Sequence, residues 1–340
     1  MREILEKLLA GQALNKEETQ TSFRALMEGR WSEAQQAAFL VALRAKGETP
    51  QEVAEAARVL RAYAVRITAP PGAVDTCGTG GDGTCTLNLS TGAAILAASL
   101  GVPVAKHGNR SVSSRCGSAD VLEAMGWPLN LAPGACEQLL SERGFTFLFA
   151  PTFHPAMKGV APVRRSLGVR TVFNLLGPLA NPAGVRRQLV GVFSPAAQEL
   201  VASALAQLGA EHAWVVHSAD GLDELSVQAP TAVVEVRDGA AARRFTVDPA
   251  NLNLAQDGEA LAGGDAPYNA QRLWDILEGR ERGSAADAVA LATGAALVVG
   301  GKVGDLVEGV TQAREALASG LGARYFKSVL ARAQELAHGA

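Results

Sequence analysis

Up to about residue 65 the chain carries the punctuation of short helices. Asn15 has Glu18 three positions on and Ser32 has Gln35, the reciprocal pairing of side chain and backbone that opens a helix. Thr49 is followed by Pro50 and then Glu52, so a cap, a first-turn proline and a box stand together. Gly11, Gly29 and Gly47 close the segments between them. The third predicted helix, Ser32 to Lys46, holds Ala37, Ala38, Phe39, Leu40, Val41, Ala42 and Leu43 in a nearly unbroken apolar block. A small helical unit cannot hide such a block by itself. It is expected to pack on the main domain or on a second subunit.

Ala69-Pro70-Pro71-Gly72 reads as a linker, and beyond it the pattern changes. Short apolar runs at Val102 to Ala105, Phe145 to Ala150, Gln188 to Phe193 and Ala213 to Val216 alternate with helical stretches. Those stretches are Gly92 to Leu100, Ser118 to Met125, Ala132 to Arg143 and Pro195 to Leu208. Such alternation predicts a mainly parallel sheet. Thr231 to Arg237 and Ala242 to Val247, separated by Asp238-Gly239, predict a hairpin inserted late. From Tyr268 onward the chain is again helical, with no internal repeat. The expected class is α/β: a small N-terminal helical domain over residues 1–68, joined by part of 160–185, and a larger domain over 72–340. The larger domain should have a mainly parallel central sheet flanked by helices.

Composition narrows the partners. The 340 residues are 48% hydrophobic and 19% charged, which fits a well-buried globular protein. A formal net charge of -3 gives no reason to expect a nucleic acid. No apolar run is long enough to predict a membrane span, and Met1 to Leu9 lacks the apolar core of a signal peptide, so a cytoplasmic protein is expected. Cys77, Cys85, Cys116 and Cys136 show neither C-x-x-C pairing nor a disulfide framework and read as reduced.

The candidate chemistry concentrates between Asp75 and Ser118. Gly78-Thr79-Gly80-Gly81-Asp82-Gly83 has four glycines in six residues, which lets backbone amides approach a ligand. A polar run follows, in which Thr86, Asn88 and Ser90 alternate with Leu87 and Leu89. Ser90 and Thr91 then stand where a helix begins, and its free amides favour an anion. The next predicted strand delivers Lys106, His107, Gly108, Asn109 and Arg110 as a basic loop, followed by Ser111, Val112, Ser113, Ser114 and Ser118. Two adjacent strand ends of this kind point to a phosphate site. The glycine turn also matches a dinucleotide fingerprint, but that fold wants an acidic residue about 20 positions later, where Lys106 and His107 stand instead. Asp223 and Glu224 follow a third predicted strand, and adjacent carboxylates opposite a phosphate loop suit Mg²⁺. A further strand leads into His154 and a helix bearing Arg164 and Arg165, then Arg170; an arginine fork is the usual partner of a planar carboxylate.

GTGGDG, T-x-N-x-S-T (Thr86 to Thr91), KHGNRSVSS (Lys106 to Ser114) and GSADVLEAMG (Gly117 to Gly126) resemble anthranilate phosphoribosyltransferases. The later HPAMK, VAPVRRSLGVRTVFNLLGPLANP and DGLDE stretches are similar too, so the likeness spans nearly the whole chain. Cys116 departs from the usual small polar residue and Leu87 from the usual phenylalanine. The resemblance implies a homodimer through the helical domain and transfer of a phosphoribosyl group from phosphoribosyl diphosphate to anthranilate. It implies that Gly78, Gly81, Asp82, Thr86, Asn88, Leu89, Ser90, Thr91, Lys106 to Ser114 and Ser118 hold the donor. Gly78, Asn109, His154 and Arg164 would hold anthranilate, and Ser90, Asp223 and Glu224 the Mg²⁺. It also implies that Asn174 to Pro178 is a loop closing over the substrate, and that Arg165 and Arg170 are structural or dimer-facing. His107 reads as orienting the amine or a phosphate rather than as a base, because an aromatic amine is unprotonated at neutral pH. The rivals are a pyrimidine nucleoside phosphorylase, disfavoured by the acidic pair and the KHGNR form of the second loop, and a non-catalytic nucleic-acid-binding relative, disfavoured by the intact motifs and negative charge.

Overall fold

The computed structural model describes residues 1–81, 83–111 and 115–338. Four helices come first: α1 (Arg2–Leu9), α2 (Lys16–Met27), α3 (Glu33–Lys46) and α4 (Pro50–Tyr63). The capping boxes at Asn15, Ser32 and Thr49 all form, each side chain accepting from the third amide of its helix. The apolar block of α3 is largely absorbed by this same chain. Phe39 and Leu40 are fully buried, and Phe39 meets the rings of Phe23 and Trp31 edge-on. Val41 alone of that block's large side chains stays exposed.

The remaining elements run β1 (Val74–Gly78), α5 (Leu89–Ser99), β2 (Val104–Gly108), α6 (Ser118–Ala124), α7 (Pro133–Arg143), β3 (Phe145–Phe149) and α8 (Ala150–Phe153). Then come α9 (Ala161–Leu167), α10 (Phe173–Leu179), β4 (Arg187–Gly191), α11 (Pro195–Gln207) and β5 (His212–Ser218). The chain ends with β6 (Thr231–Arg237), β7 (Ala240–Val247), α12 (Ala266–Leu277), α13 (Ser284–Gly300), α14 (Leu306–Ala318) and α15 (Leu321–His338). The seven strands form one sheet in the order β3-β2-β1-β4-β5-β6-β7. β1 to β5 pair in parallel, while β6 and β7 join antiparallel through the Asp238-Gly239 turn. Both turn residues have positive φ, 48° and 75°, as a tight hairpin turn of this hand requires. The order reverses between β1 and β4, and ligands of such sheets bind outside the carboxyl ends of the strands at that reversal.

Two expectations need correction. The second strand begins at Val104, not Val102, and carries Lys106 and His107 inside it rather than in a following loop. Pro103 cannot donate to a ladder, which delays the start, and both polar side chains are buried, at 2% and 8% exposure. Asn174 to Pro178 is not a loop but most of α10. Pro178 lies inside that helix, one residue before its end at Leu179.

The sheet is split between β1 and β2. β1 pairs with β4 at five positions and β2 with β3 at five, yet β1 and β2 share one, Val74 with Val104. A regular rung above it would link Thr76 to Ala105 and His107. Side chains take its place. The His107 amide donates to Asp75 Oδ1 at 3.2 Å, and Asn181 Nδ2 donates to both Asp75 Oδ2 and the Ala105 carbonyl at 2.8 Å. Lys106 Nζ donates to the Thr76 carbonyl at 2.5 Å. Asp75 is wholly buried, and burial pushes its carboxyl up to about 6 against the pull of the Lys106 charge.

Candidate active site

The carboxyl ends of β1, β2, β4 and β5 converge. Asp223, in the turn after β5, lies across two glycines. Its Oδ2 accepts the Gly80 amide at 2.7 Å, and a Cβ on Gly78 would sit 2.6 Å from that oxygen. A Cβ on Gly191, the last residue of β4, would overlap the Asp223 carbonyl oxygen and lie 2.5 Å from its carbon. Glu224 Oε1 faces the Ser90 amide at 3.4 Å in the first turn of α5, where the helix presents its positive end. Lys106 Nζ is 3.4 Å from Ser90 Oγ. Burial lowers the pKa of this ammonium, and the carboxylates of Asp75 and Glu224 oppose the shift. Ser90, Lys106, Asp223 and Glu224 therefore surround one region beside the glycine turn. Two carboxylates and a hydroxyl make an all-oxygen donor set. It suits a hard divalent cation that completes its shell with water and phosphate, and no cluster of three His, Cys, Asp or Glu that could hold a metal exists among the described residues.

The second strand end supplies a different environment. His107 Nδ1 donates to the Gly177 carbonyl of α10 at 3.2 Å, which leaves Nε2 with its lone pair. Burial, reinforced by His154, drives the His107 pKa down to about 3; burial brings His154 to about 4. The two neutral rings lie 5.1 Å apart, and neither Nε2 has a hydrogen-bond partner among the described residues. Arg164, half-buried in α9, holds its guanidinium 5.1 Å over the Phe173 ring at the start of α10. His107 and Arg164 thus meet the two ends of one short helix. Arg165 is exposed.

Other expected contacts fall unevenly. Asp82, Val112, Ser113 and Ser114 lie outside the described residues. Gly81 is held through its carbonyl by Arg170, which stacks on Phe193 at 4.2 Å, while Arg44 of α3 binds the Arg170 carbonyl. Arg170 thereby ties the helical domain to the glycine turn. Arg110 forms 2.8 Å ion pairs with Asp120 and Glu123 along α6, and Ser111 donates its amide to Asp120 at 3.0 Å. Asn109 is exposed; its carbonyl accepts the Ala119 amide at 3.2 Å and the Ser118 hydroxyl at 3.4 Å. Gly108 lies under Ser118 and Phe147, which a Cβ there would strike. Leu89 and Thr91 are buried, and their amides donate to the Leu87 and Asn88 carbonyls at 2.7 and 3.0 Å. Thr86 pairs through its backbone with Ala262, and both ends of the Asn88 amide are engaged by protein, Nδ2 at the Cys116 carbonyl and Oδ1 at Asn269. Sequence reading missed Asp75, Asn181, Gly191, the Gly177 carbonyl and the Leu261 to Asn269 segment, since each acts through long-range contacts that no local pattern announces.

The chain matches two family models in succession: the helical bundle domain of a glycosyl transferase family over residues 2–64, and the a/b domain of the same family over 70–323. It is 50% identical over 321 residues to an anthranilate phosphoribosyltransferase from Rubrobacter xylanophilus, covering 94% of each chain. It superposes on the crystal structure of the anthranilate phosphoribosyltransferase from Thermus thermophilus with a TM-score of 0.92 at 46% identity, covering 97% of this chain and 99% of the other. The Saccharomyces cerevisiae enzyme, whose structure was solved in complex with PRPP and Mg, aligns at 26% identity with a TM-score of 0.90 over 98% of each chain. Likeness of this extent runs through both the helical and the α/β parts, and the chain belongs to the anthranilate phosphoribosyltransferase family.

Proposed function

We propose that this protein transfers the 5-phosphoribosyl group of phosphoribosyl diphosphate to the amine of anthranilate, a step of tryptophan biosynthesis, and that the converging strand ends do the work. The observation that carries the reading is the placement of Asp223 and Glu224 against the Gly80 and Ser90 amides, beside buried Lys106. The glycine turn, the Thr86 to Thr91 run, Lys106 to Ser114 and Ser118 surround the donor's phosphates and ribose. Ser90, Asp223 and Glu224 hold Mg²⁺, which when bound offsets the charge of the diphosphate. Arg164 receives the anthranilate carboxylate, with Gly78, Asn109 and His154 lining the pocket. His107 Nε2, unprotonated and unpartnered, accepts a hydrogen bond from the amine and aims its lone pair.

The bond from the anomeric carbon to the diphosphate oxygen breaks, its electron pair leaving with the diphosphate, and the amine nitrogen bonds to that carbon. The nitrogen then loses a proton to solvent. A ring as weakly basic as His107 is a poor acceptor, so its contribution is orientation. The gain comes from positioning and from preorganised charge at the leaving group. We extend the reading to a homodimer through the helical domain, where Leu9 and Val41 are exposed.

The test is loss of anthranilate fluorescence when the purified protein meets anthranilate, phosphoribosyl diphosphate and Mg²⁺. The double variant Asp223→Asn with Glu224→Gln should be inactive even at saturating Mg²⁺. Near-normal turnover in that variant removes the metal role, and phosphate-dependent cleavage of thymidine in place of anthranilate consumption removes the reaction.

A further inference from the structure

A segment far along the chain clasps the first loop of the site. The Leu87 amide donates to the Leu261 carbonyl at 2.9 Å and the Gly263 amide to the Cys85 carbonyl at 2.6 Å, so Cys85 to Leu87 lies antiparallel to Leu261 to Gly263. The approach is close enough that a Cβ on Gly263 would sit 2.5 Å from the Thr86 carbonyl oxygen. Just beyond, Asn269 in the first turn of α12 is 1% exposed. Its Oδ1 accepts the Gly264 amide at 2.7 Å, and its Nδ2 donates to Asn88 Oδ1 at 3.0 Å. Asn88 Nδ2 in turn donates to the Cys116 carbonyl at 3.1 Å.

These three bonds run in one direction. The chain starts at a backbone N–H and ends at a backbone C=O, groups whose polarity cannot change. Turning either amide over would set donor against donor or acceptor against acceptor. The orientation of Asn88 is therefore fixed by Asn269, and through it the Thr86 to Thr91 loop is fixed against Cys116 at the foot of the Ser118 loop. The two loops proposed to grip the donor substrate come from different strands, and backbone pairing between those strands stops at Val74 with Val104.

We propose that Asn269 is a positioning residue for phosphoribosyl diphosphate, setting the spacing of the two loops through Asn88 without touching the substrate. This rests on the reading that those loops hold the donor. The informative variants are Asn269→Asp and Asn269→Ser. Aspartate keeps the shape and the acceptor for Gly264 but places oxygen against oxygen at Asn88. Serine is too short to reach Asn88 but introduces no charge, so it serves if the aspartate variant fails to fold. In steady-state kinetics each folded variant should raise the KM for phosphoribosyl diphosphate about tenfold, a factor equivalent to about 1.4 kcal/mol, with the KM for anthranilate within about twofold of the parent. Titration calorimetry with phosphoribosyl diphosphate should show the same loss. An unchanged donor KM in a folded variant, or equal rises in both KM values, overturns the role of Asn269. A parent protein that neither binds phosphoribosyl diphosphate nor consumes anthranilate overturns the functional reading instead.

Discussion

Gly191 gives the sharpest test of how Asp223 and Glu224, the carboxylates proposed to hold Mg²⁺, are placed. It ends β4, outside every motif at the site, and its Cα faces the backbone of Asp223. Replacing it with alanine puts a methyl group on top of the Asp223 carbonyl oxygen and 3.4 Å from the Glu224 amide. To reach ordinary contact that oxygen must retreat by about 2 Å. No flexible side chain can absorb the shift, because the clash is with backbone. The 2.7 Å bond from the Gly80 amide to Asp223 Oδ2 then breaks, and the carboxylate pair moves off the glycine turn. Misplacement of a reacting group by 1 Å costs about 10²-fold, so kcat should fall at least that far. Overpacking among side chains costs about 1–3 kcal/mol and a clash with backbone costs more, so kcat is read only on a variant whose melt stays cooperative. The assay is anthranilate fluorescence at saturating substrates, paired with thermal melts and repeated across a Mg²⁺ titration. Gly134→Ala in α7 is the control, since a Cβ there meets nothing within 4 Å. A kcat for Gly191→Ala within a few-fold of the parent, or an equal loss in Gly134→Ala, would refute this role for Gly191.

Two further outcomes follow from the same geometry. Arg164→Ala should raise the KM for anthranilate and leave donor binding intact; a large loss of phosphoribosyl diphosphate affinity by calorimetry would put that arginine in the wrong subsite. Asp75 has a folded-state pKa of about 6, above its ordinary 3.8, so its contribution to stability is full below pH 3.8 and lost as pH rises through 6. Between pH 5 and 7.5 the unfolding free energy of the parent should therefore fall relative to Asp75→Asn by on the order of 1 kcal/mol, measured in urea; parallel pH curves for the two proteins would refute this.

What could be read from the amino-acid string was local. The three capping boxes, the Asp238-Gly239 hairpin and the alternation of strand and helix each depend on residues a few positions apart, and each is found in the fold. The glycine turn and the Asp223-Glu224 pair were legible as chemistry because the residue types are unusual together. What escaped was set by distance along the chain. Lys106 and His107 resembled loop residues because nothing nearby reveals that Asp75 and Asn181 would bury them, and Asn181 is 106 positions from Asp75. Asn174 to Pro178 was expected as a loop by likeness to a family, whereas helix continues through Gly177-Pro178 to Leu179. Gly191 carried no signal at all: only the return of the chain after β5 makes its missing side chain necessary.

The rungs of side chain between β1 and β2 bear on how such a fold can change over generations. Backbone rungs are common to every residue type except proline, so most substitutions cannot lengthen or shorten them. A rung made of Asp75, Asn181 and Lys106 is written in the genetic code at three codons. Selection can therefore adjust the gap at the centre of the sheet one replacement at a time, leaving the strands on either side untouched.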